Sequence, residues 1–422
     1  MVCMSHARFR LPIALSASVL FALLPATSAL AQAAATPIPA PAREASDAVT
    51  PYLNARYRLE TVDQQGIAKS ATASTLRLRA GARTAAWHGL SAVIEGDAIL
   101  RVGPKDYNDT VNGGVAFPVV ADPSDVLLNQ AYVRWQPVRQ LEVIGGRQAI
   151  NFDNQRWVGS VDWRQNDQTL YAARIGVVPA AGTRIDYAYS WRVNRVFGKD
   201  SPQGIWPDSD IHLLRGSATL APLGTLIAYG YWLDIPAVPA LSSRTLGARL
   251  TGEKPLSDGL RIHYAAEYAR QSDLNINPRQ FTHEYLLLES GVGIGPVTIR
   301  AGYERLEGDG DTALQTALAT LHAFNGWTDR FLTTPPSGLR DLYADVQWRI
   351  GSLFINTPAT LRFQLHDFNA THGGADYGHE VGAWLTVPIT RQISAAFKLS
   401  HYEADAFATN TTKSWFSVEA RF

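Results

Sequence analysis

Arginines two residues apart recur along this chain, as Arg56 with Arg58 and Arg77 with Arg79. A guanidinium stays charged at any physiological pH and offers a planar fork of donors that can grip a carboxylate through two parallel hydrogen bonds. On an extended strand, side chains at i and i+2 share a face about 7 Å apart, so such pairs make rungs for successive carboxylates. Beyond the first 31 residues the chain holds 30 arginines and only six lysines, so the skew is toward the fork rather than the point charge.

Residues for hydrolytic chemistry are sparse. The ten histidines are scattered, and neither a Gly-x-Ser-x-Gly elbow nor a His-Glu-x-x-His pair occurs. Asp153, Asp162 and Asp167 could mimic the paired carboxylates of a glycosidase, but Arg156 and Arg164 lie among them as simpler partners. "EGDGDT" at 307–312 places Glu307, Asp309 and Asp311 as oxygen ligands suited to calcium, without the spacing or terminal glutamate of an EF-hand. An exposed acidic tip is the simpler reading, and no cofactor is implied.

The elements that must position the arginines are strands. From Tyr52 onward, apolar and polar residues alternate, as in "YLNARYRLETV". Such segments fall near 52–62, 72–86, 90–100, 125–136, 141–149, 166–176, 183–193, 210–220, 224–234, 243–252, 259–271, 282–292, 296–305, 340–349, 360–368, 377–387, 393–403 and 413–422. Short connections such as 87–89, 137–140, 179–182, 221–224 and 293–296 alternate with long ones at 101–124, 194–209 and 305–339. The polar face repeatedly carries charge, which suits the lumen of a closed barrel better than the dry core of a sandwich. The expected fold is therefore all-β: a transmembrane antiparallel barrel of about 18 strands with short periplasmic turns and long extracellular loops, placed in the bacterial outer membrane.

The flanks agree with export. Arg8 and Arg10, the apolar stretch Leu11 to Leu24 and "ALA" at 29–31 form an expected signal peptide over 1–31. An Ala/Pro-rich linker follows at 32–50, with the barrel over 51–422. The one cysteine, Cys3, falls within the leader, so no disulfide framework is expected. Without Arg8 and Arg10 the remaining chain carries 36 basic and 38 acidic residues, a balance that gives no reason to expect nucleic acid as a partner. At the far end, Phe416, Val418, Ala420 and Phe422 alternate with Ser417, Glu419 and Arg421. That pattern is similar to the C-terminal signal read by barrel-insertion machinery; the simpler reading is an aromatic anchor at the lipid interface, where Trp135, Trp191, Trp232 and Trp348 would also lie.

Three blocks, "LNQAYVRWQP" at 128–137, "IGGRQAINFDNQRWVGSVDWRQNDQTLYAARI" at 144–175 and "LHAFNGWTDRFLTTPPSGLRDLYADVQW" at 321–348, resemble the alginate export family of outer-membrane barrels. The resemblance implies 18 strands, an electropositive constriction rich in arginine, and passage of an anionic uronate polymer, with a periplasmic export complex as a further partner. Strand parity points Arg56, Arg58, Arg77, Arg79, Arg134, Arg174, Arg192, Arg249, Arg300, Arg349 and Arg362 inward, while Arg147, Arg156 and Arg164 lie in the second block and could fold over the pore. The bland alternative is an ion-pair network with Glu95, Asp97, Asp186, Glu267, Glu304, Asp345 and Glu380 that only stiffens the barrel. The alternative function is a porin for uptake of small anionic saccharides or other anions, and the third is a barrel enzyme. The long 305–339 connection, with Leu314, Ala317, Leu318 and Leu321 at helical spacing behind Asp311 or Thr312, either enters the lumen as a helix or stands outside as a hairpin.

Overall fold

The computed structural model describes residues 48–422, so the expected leader and most of the Ala/Pro-rich linker lie outside the described residues. Nineteen strands form one sheet. They are β1 (Val49–Gln64), β2 (Ala71–Thr84), β3 (Leu90–Arg101), β4 (Asp125–Val138), β5 (Leu141–Gln148), β6 (Thr169–Val177), β7 (Thr183–Asn194), β8 (Ile205–Trp206), β9 (Asp210–Leu220) and β10 (Gly224–Asp234). The sheet continues through β11 (Ser243–Ser257), β12 (Leu260–Asp273), β13 (Thr282–Ile294), β14 (Val297–Leu306), β15 (Leu339–Ser352), β16 (Pro358–Asn369), β17 (Asp376–Pro388), β18 (Ile393–Ala404) and β19 (Thr411–Arg421).

Each of the eighteen alternating segments is a strand of the wall. The extra one, β8, is two residues added to the end of β7, and β9 takes the next place beside β7 in the wall. The linker boundary moves: Val49 and Thr50 already pair with Thr84 and Arg83, so the barrel begins at 49 rather than 51. Closure is made by β19 on β1, in antiparallel register from Asn54 opposite Arg421 to Gln64 opposite Thr411. A closed ladder leaves no unpaired edge, which is what permits strands to cross lipid.

The two faces reverse the usual order of a soluble protein. On β18, Lys398 is 2% exposed, whereas its neighbours Phe397 and Leu399 are 49% and 42% exposed. The buried side of the alternation therefore carries charge and faces the lumen, and the exposed side is apolar and faces lipid. Trp135, Trp191 and Trp348 are exposed near strand ends, at the heights of an interfacial belt.

Two long extracellular loops fold into the lumen: the third, L3 (149–168), and the seventh, L7 (307–338). Val158 and Leu318 form a parallel bridge between them, and the Gly159 amide donates to the Leu318 carbonyl at 2.8 Å. Leu314 and Leu318 are buried in a lumenal apolar cluster with Phe152 and Trp157. The helix expected from their spacing is absent except for one 3₁₀ turn at Leu321–Ala323. The amides a helix would use internally are spent elsewhere: that of Leu314 on the Glu307 carbonyl at 2.9 Å and that of Thr320 on the Gln155 carbonyl at 3.0 Å. Pairing with L3 and burial of the leucines override the local pattern.

At the seam, Phe422 and Leu53 exchange both backbone hydrogen bonds, at 2.8 and 3.0 Å, while the Phe422 ring is 68% exposed. Deleting Phe422 removes both bonds and the ring; Phe422→Ala removes the ring alone. Both variants are expected to show less heat-modifiable, membrane-integrated barrel on a gel, with normal amounts exported to the periplasm. Parental levels of assembled Phe422→Ala would reduce the ring to an interfacial anchor.

Candidate functional site

Most of the arginines singled out from the sequence are bound to carboxylates. Arg79 is held by Asp97 at 2.6 Å and by Asp167 of L3 at 2.8 Å. Arg77 reaches the Asn54 amide oxygen at 2.6 Å, with Glu419 at 3.8 Å and Asp167 at 4.0 Å. Arg134 pairs with Glu142, Arg174 with Asp186, Arg249 with Glu267, Arg300 with Asp345 and Arg362 also with Asp345. For these residues the stiffening network describes the geometry, since a neutralised guanidinium attracts a passing anion weakly.

Four of the nominated arginines have no carboxylate within 4.0 Å among the described residues. Arg56 donates to the Gln165 side chain at 3.0 Å and to the backbone carbonyls of Asp162 and Arg164, and so keeps its charge uncompensated. Arg147 and Arg192 flank the Tyr171 ring at 5.8 and 5.4 Å. Arg349 donates to the Gly295 carbonyl of the neighbouring periplasmic turn and lies at that rim, away from the constriction.

Of the three arginines in the second block, Arg156 and Arg164 lie in the inward loop L3, whereas Arg147 is on the wall strand β5, opposite Tyr171. Arg164 of L3 joins Glu60 of β1 at 3.0 Å to Asp329 of L7 at 3.0 Å. Asp329 also receives Lys413 of β19 at 2.7 Å and His322 Nδ1 at 2.6 Å. Arg156 ties L3 to Glu304 of β14 at 2.9 Å, and Arg58 is bound to Asp122 and to the Trp163 carbonyl. Of the three aspartates named for hydrolysis, Asp162 lies near Asp167, but two are spent on arginines and leave no free carboxylate pair: Asp153 is held by Arg215 at 2.6 Å and Asp167 by Arg79. Nor do the calcium candidates converge. Glu307 bonds Arg305, Asp311 bonds Arg279, and Asp309 accepts the amides of Asp311 and Thr312 in a local turn. Among the described residues no group of three His, Cys, Asp or Glu side chains is placed to hold a metal ion.

Two cavities lie against L3 and L7 inside the barrel. The upper, about 630 Å³, is lined by Arg195 and Arg330 together with Phe117, Phe197, Leu241 and Leu332. The lower, about 410 Å³, is lined by Arg56, Arg362, Trp327, Trp384, Lys398 and Glu419. His322 lines both and marks the eyelet between them. Its ring stacks on Trp163 at 4.5 Å and 10°. Burial, opposed by Asp329, pushes the His322 imidazole down to about 3, so the ring is neutral: Nδ1–H donates to Asp329 and Nε2 accepts from Lys398 at 2.8 Å.

Sequence reasoning missed the residues that form this eyelet. Lys398, Trp415 and Trp384 were legible only as members of the polar phase of a strand; a lysine in a chain with six, or a tryptophan on a charged face, was the available signal. His322, Asp329, Arg195 and Arg330 sit in loops, where alternation gives no direction. Arg195 is stacked between Phe197 and Trp206 at 4.9 and 4.4 Å, and neither it nor Arg330 forms an ion pair among the described residues.

No family model and no curated protein matches this chain. Solved structures do. OpdG (OccK9) of Pseudomonas aeruginosa superposes with a TM-score of 0.70 at 13% identity, over 89% of this chain and 98% of that one. OpdK of the same organism, solved with vanillate, gives 0.69 at 11% identity over 89% and 98%. OccAB2 of Acinetobacter baumannii gives 0.67 at 13% identity over 89% and 98%. At these identities the likeness establishes the fold, an 18-strand outer-membrane barrel of the porin type, and the alginate exporter resemblance gains no support beyond that fold.

Because His322 stays neutral far below its ordinary value, its protonation plays no part between about pH 5 and about 8. Any step in conductance or anion preference within that range belongs to another group and should persist in His322→Gln. A step abolished by His322→Gln would mean that the ring is solvated rather than buried between Trp163 and Lys398.

Proposed function

We propose that this protein is an outer-membrane porin for small anionic solutes. The observation that carries the reading is the distribution of uncompensated cations. Arg195 and Arg330 line the upper cavity and Arg56 the lower, with no carboxylate within ion-pair distance of any of the three among the described residues. Uncompensated positive charge inside a low-dielectric wall raises the local concentration of anions and lowers that of cations. Paired arginines such as Arg79 and Arg249 contribute rigidity instead.

Size favours small solutes over a polymer. The two cavities share His322 in their linings, beside Trp163, Arg164 and Lys398, and passage through so crowded a layer suits a compact solute better than an extended polysaccharide. The upper cavity is largely apolar, with phenylalanine, leucine and valine around the two free guanidiniums. That lining suits a compact carboxylate with an apolar or ring-shaped body, and vanillate in the structurally similar OpdK is a solute of this kind. Lipid is the partner of the outer wall, and insertion machinery the expected reader of the C-terminal strand.

The test is the reversal potential of the refolded channel in a planar bilayer under a salt gradient. The parental protein should prefer chloride and benzoate over potassium. Arg195→Gln with Arg330→Gln should lower that preference at low salt, with a smaller change near 0.1 M and above, where the screening length falls to about 10 Å. An unaltered reversal potential in the double variant would remove the upper cavity from the permeation path.

A further inference from the structure

The lipid-facing side of the wall carries arginine near its extracellular rim in one sector only, among the described strands. Arg244 of β11, Arg270 of β12, Arg305 of β14 and Arg340 of β15 share the outward phase with Leu246, Tyr268, Tyr303 and Leu342. Their neighbours Thr245, Ala269, Glu304 and Asp341 are buried toward the lumen. Each of the four arginines lies within four residues of the extracellular end of its strand. Register sets their height: Arg244 stands opposite Trp232, an outward indole of β10, at the level of the interfacial belt. One outward step toward the periplasm, Leu246, Tyr268 and Leu342 are 48%, 49% and 54% exposed and begin the apolar band. The guanidiniums therefore stand where acyl chains give way to headgroups.

The chain does not neutralise this sector. Arg305 and Arg340 face each other directly across β14 and β15, an arrangement of like charges that destabilises a sheet. Arg305 is bonded to Glu307 at 2.6 Å. Arg244 donates to the Ser272 hydroxyl at 3.3 Å, and neither it nor Arg270 nor Arg340 has a carboxylate within 4.0 Å among the described residues. Glu284, opposite Arg270 in register, accepts the Tyr268 hydroxyl at 2.9 Å and comes within 3.9 Å of Arg305. Four outward cations thus share two carboxylates. On the flanking strands the outward charges are acidic: Asp210 and Asp234 on β9 and β10, Asp367 and Glu403 on β16 and β18.

We propose that this sector is a binding surface for a phosphorylated glycolipid of the outer leaflet, a lipopolysaccharide, whose phosphates the guanidiniums hold while its acyl chains lie on Leu246, Tyr268 and Leu342. The guanidinium fork grips phosphate oxygens through paired hydrogen bonds, which suits arginine to this position better than lysine. Strands spaced about 4.8 Å apart spread the four charges over roughly 20 Å from β11 to β15, wide enough for a headgroup with phosphates on two sugars. Charge and apolar band together select the occupant. A free phosphate ion would leave the leucines uncovered, and a zwitterionic phospholipid would bring its own cation against the arginines. A bound phosphate also relieves the repulsion between Arg305 and Arg340. The surface lies outside the lumen, so it stands or falls independently of the porin reading.

The test is native mass spectrometry of the folded full-length barrel in detergent, titrated with bisphosphorylated lipid A, with folding checked by heat-modifiable migration. The parental barrel should bind lipid A saturably and dephosphorylated lipid A much more weakly. Combining Arg244→Gln, Arg270→Gln, Arg305→Gln and Arg340→Gln should weaken lipid A binding about a hundredfold, since each free cation near a charged membrane surface contributes about fivefold and Arg305 is already partly neutralised. The corresponding variant with lysine at all four positions keeps the charge and should stay within about tenfold of the parent. Arg139→Gln with Arg391→Gln, which removes two exposed charges at periplasmic turns, should bind as the parent does. Parental affinity in the four-glutamine variant, equal binding of the dephosphorylated lipid, or an equal loss in the periplasmic control would each overturn the surface. If the four-glutamine variant does not fold, Arg340→Gln alone decides: binding about fivefold weaker supports the surface, and parental binding overturns it.

Discussion

The interior of this barrel depends on one buried junction, Arg164 held between Glu60 of the wall and Asp329 of L7. Asp329 takes Lys413 and His322 as well, so one carboxylate joins two inward loops to β1 and β19. Removing one partner of a buried pair costs about 3–5 kcal/mol, because the other is left charged without compensation. Free loops of this length would sample many conformations. Pinned at Arg164, Asp329 and the Arg156–Glu304 pair, L3 and L7 instead present fixed side chains to the lumen. The positions of Trp163, Trp327 and His322, and hence the cage around Lys398, follow from that attachment.

The lumen uses charge in two ways, and the distinction is whether a carboxylate is already present. Arg79, Arg134, Arg174 and Arg249 spend their donors on aspartate and glutamate and fix the wall's inner face. Arg56 and Arg195 are held instead by carbonyl oxygens or aromatic rings, and Arg330 forms no ion pair among the described residues. The first group resists rearrangement; the second remains attractive to a solute. A barrel lined only by the first would be rigid and indifferent to anions, and one lined only by the second would repel itself.

The strands were open to reading from the sequence because lipid on one side and charge on the other impose a period of two that no other constraint disturbs. Phe397, Lys398 and Leu399 show it in three residues. The arginines of the strands were therefore found, and so were Asp97, Asp186, Glu267 and Asp345 as members of their ion-pair network, but which carboxylate meets which arginine was not, since Asp97 beside Arg79 and Asp345 beside Arg300 and Arg362 depend on the register between neighbouring strands. L7 was misread for a related reason. Leu314, Ala317, Leu318 and Leu321 carry helical spacing, yet Leu314 and Leu318 are buried in one cluster with Val158, Phe152 and Trp157 of L3, which no local pattern reveals. Trp163, Trp327 and His322 lie in the same two loops, so the eyelet was hidden along with the fold of the loops that make it.

The account stands on L7 forming the narrow part of the passage. The most direct measurement is the single-channel conductance of a variant in which 308–337 is replaced by a short Gly/Ser hairpin, compared with the parent in the same salt. Loss of Asp329, His322 and Trp327 should join the two cavities, raise the conductance several-fold and weaken anion preference, while the folded wall still migrates as a heat-modifiable barrel. A variant with parental conductance and parental selectivity would place the constriction elsewhere and contradict the account.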